Sequence, residues 1–443
     1  MTRDDFGKLR ISLTNTVTNW RPALLVFLPF VTGYYLSYLF RTVNALISAR
    51  LVSDLGLSAA DLGFLTSVYF LSFAAMQLPL GILLDRYGPR RVQSILLLVA
   101  AAGAALFGAA DEFLLLVLAR ALIGLGVAGA LIAGLKAIVF WFPKERIPLI
   151  NGFFVMLGAL GAVTATVPTE LLLTWTDWRG LFELLAVVTA GCAVVIFVVV
   201  PDAQKTPVQR TIESAGFKIV FRDPRFWRLA PLSAMCIGTA WALQGLWAAP
   251  FMADVEGLTH PAIVRHLFVM AAALSAGALL LGVCSDRLRR HNVSPKIVLS
   301  TTGTVFVAAE ILLIARVPIP SVVLWAVIAG VGAATVLSYA ISAEYYPKEI
   351  AGQANAALNI FHIGGAFVFQ SAIGLILEQW PSRGGHYPLA AYETALGLLI
   401  SLQIAALVWF AGREVRAVSK IMSRLRLPSP PMDTAQPRST NTY

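Results

Sequence analysis

Twelve long apolar runs, almost free of charge, constrain this 443-residue chain more than any other feature. They cover 23–47, 61–84, 92–110, 113–141, 147–173, 181–200, 227–253, 261–284, 296–315, 321–344, 351–378 and 389–411. A bilayer core about 30 Å thick is crossed by about 20 mainly apolar residues in a helix. Strands of a membrane barrel would instead show alternating segments of about ten residues. The expected fold class is therefore an all-α polytopic membrane protein with 12 transmembrane helices. Composition agrees: 13% of residues are charged, against about 25% in soluble domains.

A net charge of +10 could suggest nucleic acid, but the placement of the cations points to topology. With the N-terminus inside, 26 of the 34 Lys and Arg fall in the inner segments and five in the outer loops, Arg50, Arg179, Arg265, Arg316 and Arg383. That is the positive-inside asymmetry. It implies that both termini are cytoplasmic; the expected location is a bacterial inner membrane. Residues 1–22 carry four basic residues and no apolar core, so they do not read as a cleaved leader. Cys192, Cys236 and Cys284 all fall in spans, which implies no disulfide framework.

The longest polar break, 201–226, divides the spans six and six. It gives a cytoplasmic N-terminal segment 1–22, a first half 23–200, a cytoplasmic central loop 201–226, a second half 227–411 and a disordered cytoplasmic tail 412–443. The halves repeat. Gly81-Ile-Leu-Leu-Asp85-Arg86 recurs 201 residues later as Gly282-Val-Cys-Ser-Asp286-Arg287, and Phe142-Pro-Lys-Glu145 recurs as Tyr346-Pro-Lys-Glu349. Offsets near 200, of 201 and 204 residues, between two six-span units imply a parallel repeat, with a substrate site near the midplane between them.

The loop Gly81–Arg91 resembles the G-x-L-x-D-R-x-G-x-R-R signature of the major facilitator superfamily. Arg120 followed by Gly124-Leu-Gly126 is similar to that family's fourth-span motif, and Asp177-Trp-Arg-Gly180-Leu-Phe182 is also common in it. The resemblance covers about residues 20 to 412. It implies alternating access, a cytoplasmic gate formed by Asp85, Arg86, Arg90 and Arg91 with a lesser counterpart in Asp286 and Arg287, and proton coupling near Arg120. Span 5 lacks the Gly-Pro pair typical of the family's drug–proton antiporters.

Several in-span residues bear on cargo. Tyr34, Tyr38 and Arg41 share one face of span 1 at i, i+4 and i+7. Aromatic hydroxyls beside a cation suit a ligand with an apolar part and a negative group; an interfacial belt is the alternative. Trp241, Gln244 and Trp247 share a face of span 7. Lys136, beside the small-residue run Gly129–Gly134, points into protein or a wet cavity unless it snorkels. His362 lies deep in span 11, where it can exchange a proton near neutral pH or pack as a neutral side chain. Glu344, ending span 10, reads as a gate, and Glu310 and Asp61 as surface or gate charges.

No G-x-x-x-x-G-K-[ST] run suggests ATP as energy source, and no His/Cys cluster suggests a metal. The expected protein is not an enzyme and has no cofactor. It is a monomer whose partners are a small-molecule substrate, protons and the lipid bilayer, and it does not bind nucleic acid. We read proton-coupled import of a small organic anion; the alternatives are an exporter of an amphipathic metabolite, siderophore or drug, and a non-transporting sensor on the same fold.

Overall fold

The computed structural model describes residues 23–143, 146–202, 213–291, 293–333, 335–382 and 386–425. The expectations placed on 1–22, 426–443 and the repeated pair Lys144-Glu145 lie outside these. Among the described residues, ten helices are long and apolar enough to cross a bilayer, and a shorter apolar helix covers most of span 5. Span 1, Leu28–Leu55, completes the twelve. Its lower hydropathy has a cause: it carries Tyr34, Tyr38, Arg41 and Asn44 on the faces it turns to other helices.

Local chemistry sets the ends and breaks. Span 1 stops at Gly56, whose φ of 65° is left-handed. Spans 2 and 3 run as Ala59–Ala109, bent at Gly88 (φ 79°). The start is a capping box: Asp61 N–H donates to Ser58 Oγ (3.1 Å) and Ser58 N–H to Asp61 Oδ2 (3.0 Å). Asp61 is thus a helix cap, which is why it is not a free gate charge. Span 4 is broken into Phe113–Val127 and Ala130–Trp141. A side chain at Gly124 would strike the Tyr69 carbonyl, so glycine there lets span 4 press on span 2.

Span 5 is Ile147–Thr164, followed by the short helix Val167–Leu172, and span 6 is Trp178–Val199. The central loop contains a helix, Glu213–Arg222. Span 7 runs from Phe226 to Asp254 through a π-turn at Leu243–Trp247. Spans 8 and 9 are His260–Arg290 and Pro295–Ile314. Span 10 is Ser321–Gly332 with Thr335–Tyr345, and span 11 is Lys348–Leu377. Span 12, Leu389–Leu425, carries helix past residue 412, where an irregular tail was expected; residues 412–425 simply continue the last helix.

The two halves share a tie between their first and last spans. Asp54, in the last turn of span 1, accepts from Trp178 Nε1 of span 6 (2.8 Å). Asp254, ending span 7, accepts from Tyr392 OH of span 12 (2.7 Å) and from the Tyr387 N–H (3.0 Å). The acids stand 200 residues apart, close to the 201-residue offset of the Asp85 and Asp286 segments.

The halves meet toward the Lys/Arg-poor end. Ser371 Oγ donates to Ser67 Oγ (2.7 Å), Trp247 Nε1 donates to the Gln370 carbonyl (3.0 Å), and His260 Nε2 lies 3.0 Å from Glu170 Oε1. A Cβ on Gly374 would collide with the Ala59 carbonyl, so spans 2 and 11 touch backbone to backbone there. At the Lys/Arg-rich end the ion pairs Asp85–Lys136, Arg90–Asp202 and Arg289–Glu344 each stay within one half. Among the described residues, these contacts between the halves lie toward one end, and the ion pairs named at the other end do not cross between them.

Candidate functional site

Span 1 supplies the centre of the site. Tyr34 is buried, and its ring stacks on Phe154 of span 5 (centroids 5.3 Å apart) and meets Tyr38 edge-on (5.2 Å). One turn on, the Arg41 guanidinium carbon sits 4.7 Å from the Tyr38 ring centroid and 4.7 Å from the Trp241 ring of span 7. Trp241 in turn stacks on Phe70 of span 2 (6.2 Å). Arg41 is half-buried, its Nε has no hydrogen-bond partner, and among the described residues no carboxylate pairs with it. A guanidinium flanked by two rings can still offer N–H donors to a carboxylate or sulfonate.

Span 11 closes the opposite wall. His362 is fully buried, with Nε2 2.6 Å from Ser233 Oγ and Nδ1 unpartnered. Its ring lies against Tyr339 of span 10 (5.5 Å) and edge-on to Trp241 (6.5 Å). Tyr339 OH donates to Asn359 Oδ1 (2.8 Å). The structure thus gathers Tyr34, Tyr38, Arg41, Trp241 and His362 around one centre.

The other expected lining residues lie apart from that group. Gln244 is buried one turn beyond Trp241, its Nε2 without a partner. Trp247 belongs to the contact between halves through its bond to Gln370. Lys136 bonds to Asp85 at the Lys/Arg-rich end, so in this conformation its charge is already matched. Arg120 is fully buried: Nη1 donates to the Phe40 carbonyl (3.2 Å), while Nε and Nη2 have no partner. It lies over the rings of Tyr69 and Phe107 (5.4 and 5.9 Å). A cation so placed is costly and is by default functional.

The gate residues differ between halves. Arg90 Nε donates to the Phe197 carbonyl (2.7 Å), and Arg90 and Arg91 both reach Asp202 (3.3 and 3.5 Å), which pins the loop to the end of span 6. Arg86 stacks on Tyr87 (5.2 Å). Asp286 and Arg287 are exposed and make no ion pair among the described residues; Arg289 instead binds Glu344 (2.9 Å).

Reading the sequence missed Phe154, Tyr339, Asn359 and Ser233, because each acquires its role from a neighbour on another span. Asn359 and His362 fall three apart on span 11, a spacing that could have flagged them together. Glu310, taken as a surface or gate charge, is 2% exposed: spans 7 and 12 cover it.

Residues 30–294 match the model of the Major Facilitator Superfamily. Over 303 residues the chain is 25% identical to the "Probable sulfoacetate transporter" of Cupriavidus necator, covering 64% of this chain and 69% of that protein. It is 27% identical over 280 residues to the "Probable L-galactonate transporter" of Escherichia coli, covering 59% and 61%; the match thus spans less than two thirds of that relative. Among solved structures, a bacterial homolog of the human lysosomal transporter Spinster, inward-facing and unoccupied, superimposes with a TM-score of 0.72 over 89% of this chain and 95% of that one. Its identity is 19%, so this likeness shows the fold alone.

Proposed function

The chain belongs to the Major Facilitator Superfamily, and from that premise we propose that it imports a small organic anion together with protons by alternating access. The observation that carries this reading is Arg41: a cation at mid-span, clamped by Tyr38 and Trp241 and free of any carboxylate among the described residues. An anion brought beside it in low dielectric gains charge-assisted hydrogen bonds. Two relatives whose names specify sulfoacetate and L-galactonate make small carboxylates and sulfonates the first class to examine.

The Lys/Arg-rich end is taken as cytoplasmic, which makes this the conformation that opens inward. Release would be followed by closure of the Asp85–Arg91 loop on the second half and opening of the Ser67–Ser371 and Glu170–His260 contacts. The uncompensated Arg120 and the buried His362 are the groups we assign to proton coupling. Neutralising part of the cargo's charge with a proton lowers the cost of carrying it through the closed intermediate.

A ligand panel tests the class. Sulfoacetate, L-galactonate and a hexuronate, each beside an uncharged analogue, are added to the purified protein and thermal stabilisation is read. A shift confined to anions, lost in Arg41→Gln, supports the reading. Stabilisation only by bulky amphipathic compounds supports an exporter instead, which the aromatic walls Tyr34–Phe154 and Trp241–Phe70 would also suit.

A further inference from the structure

The central-loop helix, Glu213–Arg222, lies outside the central site, and its packing is specific. Val220 is fully buried, and Phe217, three residues before it, is half-buried on the same face. Phe217 stacks on Phe221 (6.3 Å), which meets Phe226 edge-on (5.6 Å) and Phe361 of span 11 at a tilt (6.5 Å). Trp227, in the first turn of span 7, donates from Nε1 to the Phe221 carbonyl (2.8 Å) and meets Phe361 edge-on (5.5 Å). A side chain of span 7 thus satisfies a carbonyl in the last turn of this helix. The helix is pinned to spans 7 and 11 at the Lys/Arg-rich end.

Its outward face is mixed. Lys218 and Arg222, one turn apart, are exposed, and Ile219 is exposed beside them. From Phe221 the surface continues through Trp227, 43% exposed, and Arg228 to Trp409 of span 12, 60% exposed. The Arg228 guanidinium carbon lies 5.9 Å from the Trp409 ring centroid. Asp223 and Arg225, within the strip, neutralise each other (2.8 Å). Lys218, Arg222 and Arg228 form no ion pair among the described residues.

Topology alone would place cations at this end. It would not place an open isoleucine and two open indoles among them. Indoles are enriched at the level of lipid headgroups. A helix with basic residues beside exposed apolar ones lies at that boundary and is drawn to anionic lipid.

We propose that the strip from Lys218 to Arg228, with Trp409, is a binding surface for anionic phospholipids of the inner leaflet. Lys218, Arg222 and Arg228 take the headgroup phosphates through charge-assisted hydrogen bonds, while Ile219, Trp227 and Trp409 sit at the acyl boundary. The surface belongs to the second half and does not depend on which solute is carried.

The test uses the full-length protein with Ile219→Cys carrying a small fluorophore, in vesicles of phosphatidylcholine. Cys284, the exposed thiol, is replaced by serine; Cys192 and Cys236 are buried. Phosphatidylglycerol or phosphatidylcholine with brominated chains is added as quencher. Both should quench, and the phosphatidylglycerol should reach half-quenching at a lower mole fraction. Arg222→Gln/Arg228→Gln should weaken that preference by about five-fold per arginine. Arg287→Gln/Arg290→Gln, exposed cations of span 8, should leave it in place. Salt at about 1 M, where the screening length is about 3 Å, should erase the preference in the unmutated strip and keep the quenching. That arm needs no arginine variant to fold. Absence of quenching by either lipid would place the helix in water and overturn the proposal. Equal quenching by both lipids, or equal loss in the two arginine pairs, would overturn it by showing no headgroup selection at this strip.

Discussion

Lys136 of span 4 donates to Oδ1 of Asp85, the carboxylate that opens the loop between spans 2 and 3. The residues lie 51 apart in sequence, and each belongs to a motif whose role was read separately: a gate for Asp85, an anion-attracting cation for Lys136. Their pairing ties Lys136 to the loop between spans 2 and 3 on which the gating proposal rests.

The pair is partly exposed, 24% at Lys136 and 35% at Asp85, so solvent screening limits it to about 1 kcal/mol or less. Lys136→Gln should therefore leave anion affinity within a few-fold of wild type. It should shift the balance of open and closed states by roughly five-fold at most. Spin-label distances across the Lys/Arg-rich end read the balance, and equilibrium binding reads the affinity. A loss of affinity as large as that of an Arg41 variant would return Lys136 to the binding site.

Arg41→Gln should weaken anion binding by about 1.5–3 kcal/mol, the usual worth of hydrogen bonds to a charged group. That is roughly 10- to 150-fold. Arg41→Lys should recover only part of it, because an ammonium cannot lie flat between Tyr38 and Trp241 and still present two parallel donors. Direct binding of radiolabelled anion to detergent-solubilised protein checks both.

Glu170 Oε1 is shared by Arg50 Nη2 of its own half (3.1 Å) and by His260 Nε2 of the other (3.0 Å). Glu170→Gln should loosen the Lys/Arg-poor end and raise the labelling rate of a cysteine placed at Ser53, on the cavity of about 670 Å³ that lies there between spans 1, 2, 7, 8 and 12. Arg50→Gln should have a smaller effect, since it leaves the contact between halves in place. Equal labelling in wild type and Glu170→Gln would show that the serine and tryptophan contacts alone hold this end shut.

Outside the spans, Asp223 precedes span 7 and is bound by Arg225 through Nε and Nη2 (3.0 and 2.8 Å to Oδ2). Burial acts to raise its carboxyl, but the hydrogen bonds and charge of Arg225 prevail and hold it below the usual carboxylate value. A carboxyl lowered in the folded state stabilises at any pH above its unfolded value, about 3.9. That contribution is lost as pH falls through the lower folded value. Asp223→Asn should therefore reduce stability at neutral pH and flatten the acid limb of a melting-temperature profile below about pH 4.

Most of the fold was legible in the sequence, and the pairing of charges was not. Span number and the paired six-span fold follow from apolar run length and from Asp85 and Asp286 recurring 201 residues apart. Arg41, Trp241 and His362 stood out as candidates because charged or aromatic-polar groups within spans have few bland uses. Lys136 was misread for want of its partner, since no local spacing reveals a contact between residues on spans 2 and 4. Glu310 lies four residues from the end of its helix and so looked peripheral. It is 2% exposed because other spans pack over it, which a count along one helix cannot show.

The central claim is that an anion held at Arg41 is driven inward by protons. It is tested most directly by counting both in one proteoliposome experiment: accumulation of labelled L-galactonate or sulfoacetate, with internal pH recorded by a trapped dye. The account predicts that an inward proton gradient concentrates the anion above its equilibrium level and acidifies the lumen in step. A protonophore should abolish both signals, and Arg41→Gln should show neither. Anion uptake that proceeds without proton movement, or that survives in Arg41→Gln, would contradict it.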